Sequence, residues 1–154
     1  MLTVVARLFD MVRPDVTIFG QKDAQQVFLV RRLITDHYPN LRLVVAPTVR
    51  EPDGLAMSSR NRYLSTEDRI HALALSRAMS LATAHPEESL PRMRAVLEAE
   101  PGVDVDYLAA VNPLDFSPVS VDCDAASTAG VTYIVAARVG STRLLDTVDI
   151  FSSK

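Results

Sequence analysis

One cysteine, Cys123, stands among 154 residues, which rules out an intramolecular disulfide. Three histidines (His37, His71, His85) have no cysteine, carboxylate or nucleophile at motif spacing, so neither a zinc centre nor Ser–His–Asp catalysis finds support. Positive charge is not in excess: 16 Lys plus Arg are scattered against 19 Asp plus Glu, for a net charge of −3. That excludes the electrostatic footprint of a nonspecific nucleic-acid binder. The apolar runs are far too short to span a bilayer. Met1 leads straight into an amphipathic pattern containing Arg7 rather than a signal peptide. The expectation is a soluble chain in a reducing, cytoplasmic setting, with no nucleic-acid and no membrane partner. Internal repeats and low-complexity tracts are absent. What is abundant is apolar side chain: 48% of residues are hydrophobic, enough for a sizeable core.

Apolar periodicity divides the chain in two. Val4, Val5, Leu8, Phe9 and Val12 recur at helical spacing and predict a helix over 3–13, stopped by Pro14. The run from Val16 to Phe19 ends in Gly20 and reads as a buried strand. A helix from Asp23 to His37 follows, with Val27, Val30, Leu33 and Ile34 on one face. Leu41 to Ala46 is a second continuously apolar strand. Alternating helices and strands of this kind predict a parallel sheet covered on both faces. After Tyr63 the pattern changes. Ser65-Thr66-Glu67-Asp68 resembles a capping box, opening a helix to about Ala84 that buries Ile70, Leu73, Ala74, Ala78, Leu81 and Ala82. His85-Pro86 ends it, and a further helix over roughly 88–100 must begin near Ser89 to tolerate Pro91. Val103, Val105, Tyr107, Ala109 and Val111 alternate with their neighbours as a half-buried strand. A long loop covers 112–130. Strands over 131–139 and 144–150 are joined by a hairpin at Gly140-Ser141. The expected division is 1–62 and 63–154, the second part being helices on a small antiparallel sheet.

Two loops carry the chemistry. Phe19-Gly20-Gln21-Lys22-Asp23 joins the end of a strand to the start of a helix, where α/β sheets bind ligands and free N–H groups favour phosphate. Lys22 adds a point charge and Asp23 an acceptor suited to ribose hydroxyls. The plain alternative is a solvated turn whose acid complements the helix dipole. The second loop runs from Asp53 to Ser65. Met57-Ser58-Ser59-Arg60 concentrates hydroxyl and guanidinium donors behind Gly54, as suits a polyphosphate. Its plain alternative is a linker whose serines cap the next helix, a task already assigned to Ser65. Gln26 could offer an amide to a small polar substrate, or simply be a satisfied surface residue.

In these segments the sequence resembles the pantothenate synthetases (pantoate–β-alanine ligases). The likeness rests on Arg13-Pro14-Asp15, on Phe19-Gly20-Gln21-Lys22-Asp23-Ala24-Gln25-Gln26, on the stretch from Pro47 to Leu64, and on Val135 to Asp146. It extends over nearly the whole chain, weakest over 83–102 and 117–130. The resemblance implies an ATP- and Mg2+-dependent condensation of pantoate with β-alanine through a pantoyl adenylate, the metal being held mainly through ATP phosphates. It implies the second half of a Rossmann-like nucleotidylyltransferase domain followed by a small α+β C-terminal lid, and a homodimer. By position, Gly20 and Asp23 would face the ribose and Lys22 the phosphates, with Gln21 also on the nucleotide. Gln26 would hold pantoate, backbone groups of Val49 and Met57 would read adenine, and Ser58, Ser59 and Arg60 would grip the triphosphate. Lys22, Ser58, Ser59 and Arg60 are thus the expected catalytic residues.

The departures define the remaining expectations. Family members carry a His-x-Gly-His motif in their first half, and none occurs in this sequence. Gln21 stands where the family has glutamate, and Ala24 where it has an aromatic. The other wall of the site is therefore expected to lie outside these residues. The Val16–Phe19 strand would present an unpaired edge, so the isolated chain should be marginal or depend on dimerisation or a separate N-terminal segment. The competing reading is a non-catalytic remnant serving as a nucleotide-binding or oligomerisation module. An aminoacyl-tRNA-synthetase-like transferase is disfavoured by the lack of a basic RNA-binding module.

Overall fold

A computed structural model describes residues 1–84, 89–119 and 130–150. The element order is α1 (Leu2–Val12), β1 (Val16–Gly20), α2 (Ala24–His37), β2 (Arg42–Ala46), a short 3-10 helix (Ser59–Tyr63), α3 (Thr66–Ala84), α4 (Ser89–Glu98), β3 (Val103–Val111), β4 (Val131–Val139) and β5 (Thr142–Ile150). The expected stop at His85-Pro86, the loop around Cys123 and the chain end after Ile150 lie outside the described residues. β1 and β2 pair in parallel, and β3-β4-β5 form an antiparallel sheet.

The first unit starts with a helix that ends as its sequence dictates. Arg13 turns left-handed (φ 47) and its N–H closes onto the Phe9 carbonyl, after which Pro14 forbids another turn. Val5 and Phe9 of α1 pack with Val30 and Ile34 of α2 and with Leu41, and Phe19 and Leu43 of the strands join them. Both helices therefore lie on one face of the parallel pair. The other face is uncovered among the described residues: Ile18 is 67% exposed and Val16 38%. The expectation of cover on both faces is corrected in this respect. Val4, Leu8 and Val12, counted into the apolar stripe of α1, also point outward together with Met11.

The second unit holds the larger core, where α3 and α4 lie against the antiparallel sheet. α3 opens on a reciprocal cap: Ser65 Oγ accepts from the Asp68 N–H at 3.0 Å, and Asp68 Oδ2 accepts from the Ser65 hydroxyl at 2.8 Å. The buried stripe of α3 is Ala72, Leu75, Ala78, Met79 and Ala82 with Ala74. Ile70, expected inside, is 60% exposed, because the helix presents a stripe rotated from the one its first apolar residue implied. α4 begins at Ser89, so Pro91 falls in its first turn and interrupts no hydrogen bond. The Ser89 hydroxyl donates to Tyr133 Oη at 2.6 Å, tying α4 to β4 inside the core.

β3 departs most from expectation. The β3–β4 register slips between Val105 and Tyr107, a bulge that leaves Asp106 without a partner on β4. Because side chains alternate, one extra residue reverses every later face. Val103 and Val105 pack on the core, but beyond the bulge it is Leu108 and Ala110 that do so. Tyr107 and Ala109 turn to the opposite face. β5 begins at Thr142, two residues earlier than the spacing implied. Gly140 takes φ 56, the sign a two-residue hairpin asks of its first glycine.

Truncating Leu75 to alanine should cost about 2–5 kcal/mol, as for other fully buried leucines. Ile70→Ala should stay within about 0.5 kcal/mol. Urea unfolding midpoints of the two variants check which stripe of α3 is buried.

Candidate functional site

The candidate site is a cleft of about 630 Å³ between the start of α2 and the outward face of the antiparallel sheet. Lys22, Asp23 and Gln26 line it from the side of α2, Tyr107, Ala109 and Thr147 from the sheet, and Arg60 and Arg143 line it as well. A smaller cavity adjoins it, sharing Lys22, Arg60, Arg143 and Asp146 and adding Ser58 and Asn61. The β3 bulge is what delivers Tyr107 and Ala109 to this cleft, since an unbroken strand would have aimed them into the core.

Two tethers hold the walls together. The Thr147 hydroxyl on β5 donates to the Lys22 carbonyl at 3.0 Å, fastening the first loop to the sheet. One residue earlier, Asp146 is 1% exposed and accepts both terminal nitrogens of Arg50, at 2.7 and 3.0 Å, and the Thr147 N–H at 2.8 Å. Arg50 also donates to the Gly54 carbonyl at 3.1 Å, so the second loop folds over this ion pair. A short antiparallel bridge (Arg50 with Ala56) closes the loop, and Gly54 makes the reversal at φ 95. Leu55 and Ala56 are buried beneath it.

A second set of charges stiffens the loop from outside. Arg69 of α3 meets Glu51 at 2.6 Å and Asp53 at 2.7 Å. Asn61 donates to Glu51 Oε1 and to the Ala56 carbonyl, while its Oδ1, in a residue that lines the small cavity, is buried without a partner among the described residues. The hydrogen bond from Asn61, then that from Arg69, holds the Glu51 carboxyl below its ordinary 4.5. Burial pushes Asp53 up, but Arg69 and the Leu55 N–H together keep it below 3.8.

The residues expected to act separate into two groups. Lys22, Asp23, Gln26, Ser58 and Arg60 meet around the cleft and its adjoining cavity. Asp23 is the N-cap of α2 yet makes no side-chain capping bond, and its half-exposed carboxylate pairs with Lys22 at 3.7 Å. Ser58 Oγ accepts the Arg60 N–H at 3.2 Å and thereby starts the 3-10 helix that presents Arg60. The Gln26 amide rests on the Met1 sulfur at 3.1 Å, a weak acceptor that a better one can displace. The second group is not gathered. Gln21 opens into a smaller cavity of about 130 Å³ with Phe28 and Arg31, which shares Ala24 and Phe116 with the cleft but not Lys22 or Arg60. Gly20 ends β1 where a Cβ would meet nothing within 4 Å, so no packing among the described residues demands glycine there. Val49 and Met57 are exposed, and the Met57 N–H is spent on the Val49 carbonyl at 2.8 Å. Ser59 is exposed, its carbonyl accepting from Arg62.

Sequence reasoning missed Arg50, Asp146, Arg143 and Tyr107. A carboxylate inside an apolar strand, as Asp146 is between Leu145 and Val148, was the available signal for the ion pair. Nothing local could supply its partner 96 residues away. Among the described residues no three His, Cys, Asp or Glu side chains group so as to hold a metal ion, and no helix is long and apolar enough to cross a membrane.

Fold and cleft together define an α/β chain with a cation-lined, hydroxyl-bearing cleft at the carboxyl end of a parallel strand. The sequence pattern of the pantoate-beta-alanine ligase family matches residues 1–149, and the chain belongs to that family. Among its relatives, pantothenate synthetase of Nocardioides sp. is 50% identical, the match covering 97% of this chain and 45% of the relative. That of Thermobifida fusca is 49% identical over 97% and 52%. The chain thus spans about half the length of the curated relatives it matches. The crystal structure of pantothenate synthetase from Thermus thermophilus superposes with a TM-score of 0.86 at 41% identity, covering 97% of this chain and 55% of that one. The Francisella tularensis pantoate-beta-alanine ligase, solved with beta-gamma ATP and beta-alanine, is more distant, with a TM-score of 0.65 at 26% identity over 96% and 48%.

Replacing Asp146 by alanine strands Arg50 and should cost about 3 kcal/mol, as loss of one partner of a largely buried pair does. Chemical denaturation of the variant measures it. Glu51 and Asp53 have depressed folded values, so their contribution is present above the ordinary carboxylate range and lost as pH falls through the depressed values. Urea midpoints should therefore drop as pH falls from about 5 to about 3. In Arg69→Met that dependence should flatten.

Proposed function

We propose that this chain provides one wall of an ATP-dependent pantoate–β-alanine ligase site, for pantothenate synthesis. The observation that carries the proposal is the convergence of Lys22, Ser58 and Arg60, from two loops far apart in sequence, on adjoining cavities. In the first step the pantoate carboxylate attacks the α-phosphorus of ATP. The bond to the β-phosphate breaks, giving pantoyl adenylate and pyrophosphate. In the second, the β-alanine amine attacks the acyl carbon, the amide forms and AMP leaves.

The residues serve these steps by position and charge. Lys22 and Arg60 neutralise the phosphate oxygens as negative charge shifts to the leaving pyrophosphate, and the Ser58 and Ser59 hydroxyls donate hydrogen bonds to them. The uncapped Asp23 carboxylate accepts from ribose hydroxyls, and Gly20 and Gln21 accompany it along the nucleotide. Gln26 exchanges its thioether contact for pantoate. The Val49–Met57 pair spends one donor and one acceptor on itself, so adenine falls to the backbone groups left over. Magnesium would arrive with the ATP phosphates and supply further positive charge to them, beside Lys22 and Arg60.

Residues 1–62 are proposed as the second half of a Rossmann-like domain and 63–154 as its lid, in a cytoplasmic enzyme that works as a homodimer. Among the described residues, the uncovered Val16 and Ile18 face, the unpaired edge of β1 and the outward apolar residues of α1 support a need for further cover. A dimer partner or the half of the relatives' length not spanned here would supply it.

Pantoate-dependent AMP release should be absent from this chain alone and appear when a polypeptide carrying the relatives' other half is added. Release by the chain alone would show that the second wall is dispensable. Nucleotide binding without turnover in either mixture would favour the non-catalytic module. The melting temperature should rise with protein concentration; a concentration-independent, fully stable monomer contradicts the need for cover.

A further inference from the structure

Arg143 is the cation in the cleft to which no role has been given. It lines both the large cleft and the adjoining cavity, as Lys22 and Arg60 do, and it comes from a third segment, the start of β5. Its Nε donates to Asp106 Oδ2, and its guanidinium lies 5.8 Å from the centre of the Tyr107 ring. The Tyr107 contact depends on the β3 bulge, which turns that side chain to this face, while Asp106 stands within the bulge opposite no residue of β4.

Arg143 belongs to a small group of charges on the outward face of the sheet. Arg143 faces Arg138 directly across the β4–β5 ladder, and Arg138 Nε approaches the other oxygen of the same Asp106 at 3.7 Å. Asp104 stands opposite Arg138 in the β3–β4 register, so two carboxylates accompany the two guanidinium groups, and Asp106 is the one that Arg143 bonds. The side chains of Arg143 and Asp106 are 43% and 27% exposed, so the pair is well screened and contributes little to stability. Donation through Nε leaves the terminal nitrogens of Arg143 for other partners, and a guanidinium offers a two-pronged fork to an oxyanion. Asp146, the buried acid nearby in sequence, is committed to Arg50.

We propose that Arg143 is a third polyphosphate-binding cation, parked on Asp106 and Tyr107 and recruited to the ligand by exchanging carboxylate for phosphate. The proposal rests on the polyphosphate character of the cleft inferred above. Asp106 is then a competitor rather than a support, and it sets the affinity by holding Arg143 back. Tyr107 gives the guanidinium an aromatic surface to rest on in the parked position and along which to turn.

Calorimetric titration of the full chain with ATP, and separately with inorganic tripolyphosphate, tests this, with urea midpoints recorded for every variant. Arg143→Ala should weaken both ligands about tenfold with little change in midpoint, and Asp106→Asn should tighten both by a few-fold. Arg138→Ala removes the same charge from the neighbouring strand but does not line the cleft, and should change affinity by less than about twofold at moderate salt. Equal losses in Arg143→Ala and Arg138→Ala would mean a general field effect and overturn the proposal. So would an Asp106→Asn affinity that is unchanged or weaker, because a purely structural pair predicts that. If Lys22→Ala and Arg60→Ala lose binding while Arg143→Ala does not, the polyphosphate cleft stands and the role of Arg143 falls. If the unaltered chain binds neither probe, the cleft reading falls and this one with it.

Discussion

The Arg50–Asp146 ion pair is the constraint on which the arrangement depends. A carboxylate 1% exposed is costly unless its lone pairs are met, and here two guanidinium nitrogens and the Thr147 N–H meet them. Such a pair is poor evidence of stabilisation against an apolar substitute. It is good evidence of registry, because only one placement of the loop satisfies it. Through Arg50 and Gly54 it fixes the Ser58–Arg60 turn against β5, and the adjacent Thr147 fixes Lys22 to the same strand. Two consecutive residues of β5 thereby set the distance between the two loops that line the cleft.

The distribution of apolar surface is uneven for a physical reason. The antiparallel sheet with α3 and α4 closes a core around Leu75, Met79, Met93, Leu97 and Tyr133, all nearly inaccessible. The parallel pair has helices on one side and bare Val16 and Ile18 on the other. Two parallel strands cannot bury both faces with two helices packed on one. The uncovered face belongs to a chain that spans about half the length of the curated relatives it matches.

Much of the fold was legible because it is local. The spacing of Val27, Val30 and Ile34 in α2, the Ser65–Asp68 cap, the stop at Pro14 and the helix start implied by Pro91 each act within a few residues. Burial faces were less legible. Ile70 looked like core because it begins an apolar pattern, yet the stripe that meets the sheet runs through Ala72, Leu75 and Met79. In β3 a single unpaired residue, Asp106, reversed the faces of Tyr107 and Leu108, and no property of the strand's own alternation announces where a bulge will fall. The site was legible in the same proportion. Lys22, Ser58 and Arg60 could be chosen for their chemistry, whereas Gln21 and Lys22, neighbours in sequence, open into different cavities once the turn is folded.

The amino-acid sequence alone determined the elements, the parallel and antiparallel character of the two units, the family, and the two loops rich in phosphate donors. Those properties follow from short-range periodicity, turn chemistry and residue type, which need no knowledge of what packs where. Tertiary structure alone decided that the loops face each other, that Asp146 and Arg50 meet across 96 positions, and that Arg143 and Tyr107 enter the cleft. Each of these depends on a long-range register: one ion pair with a single satisfying geometry, and one bulge that exchanges the faces of a strand.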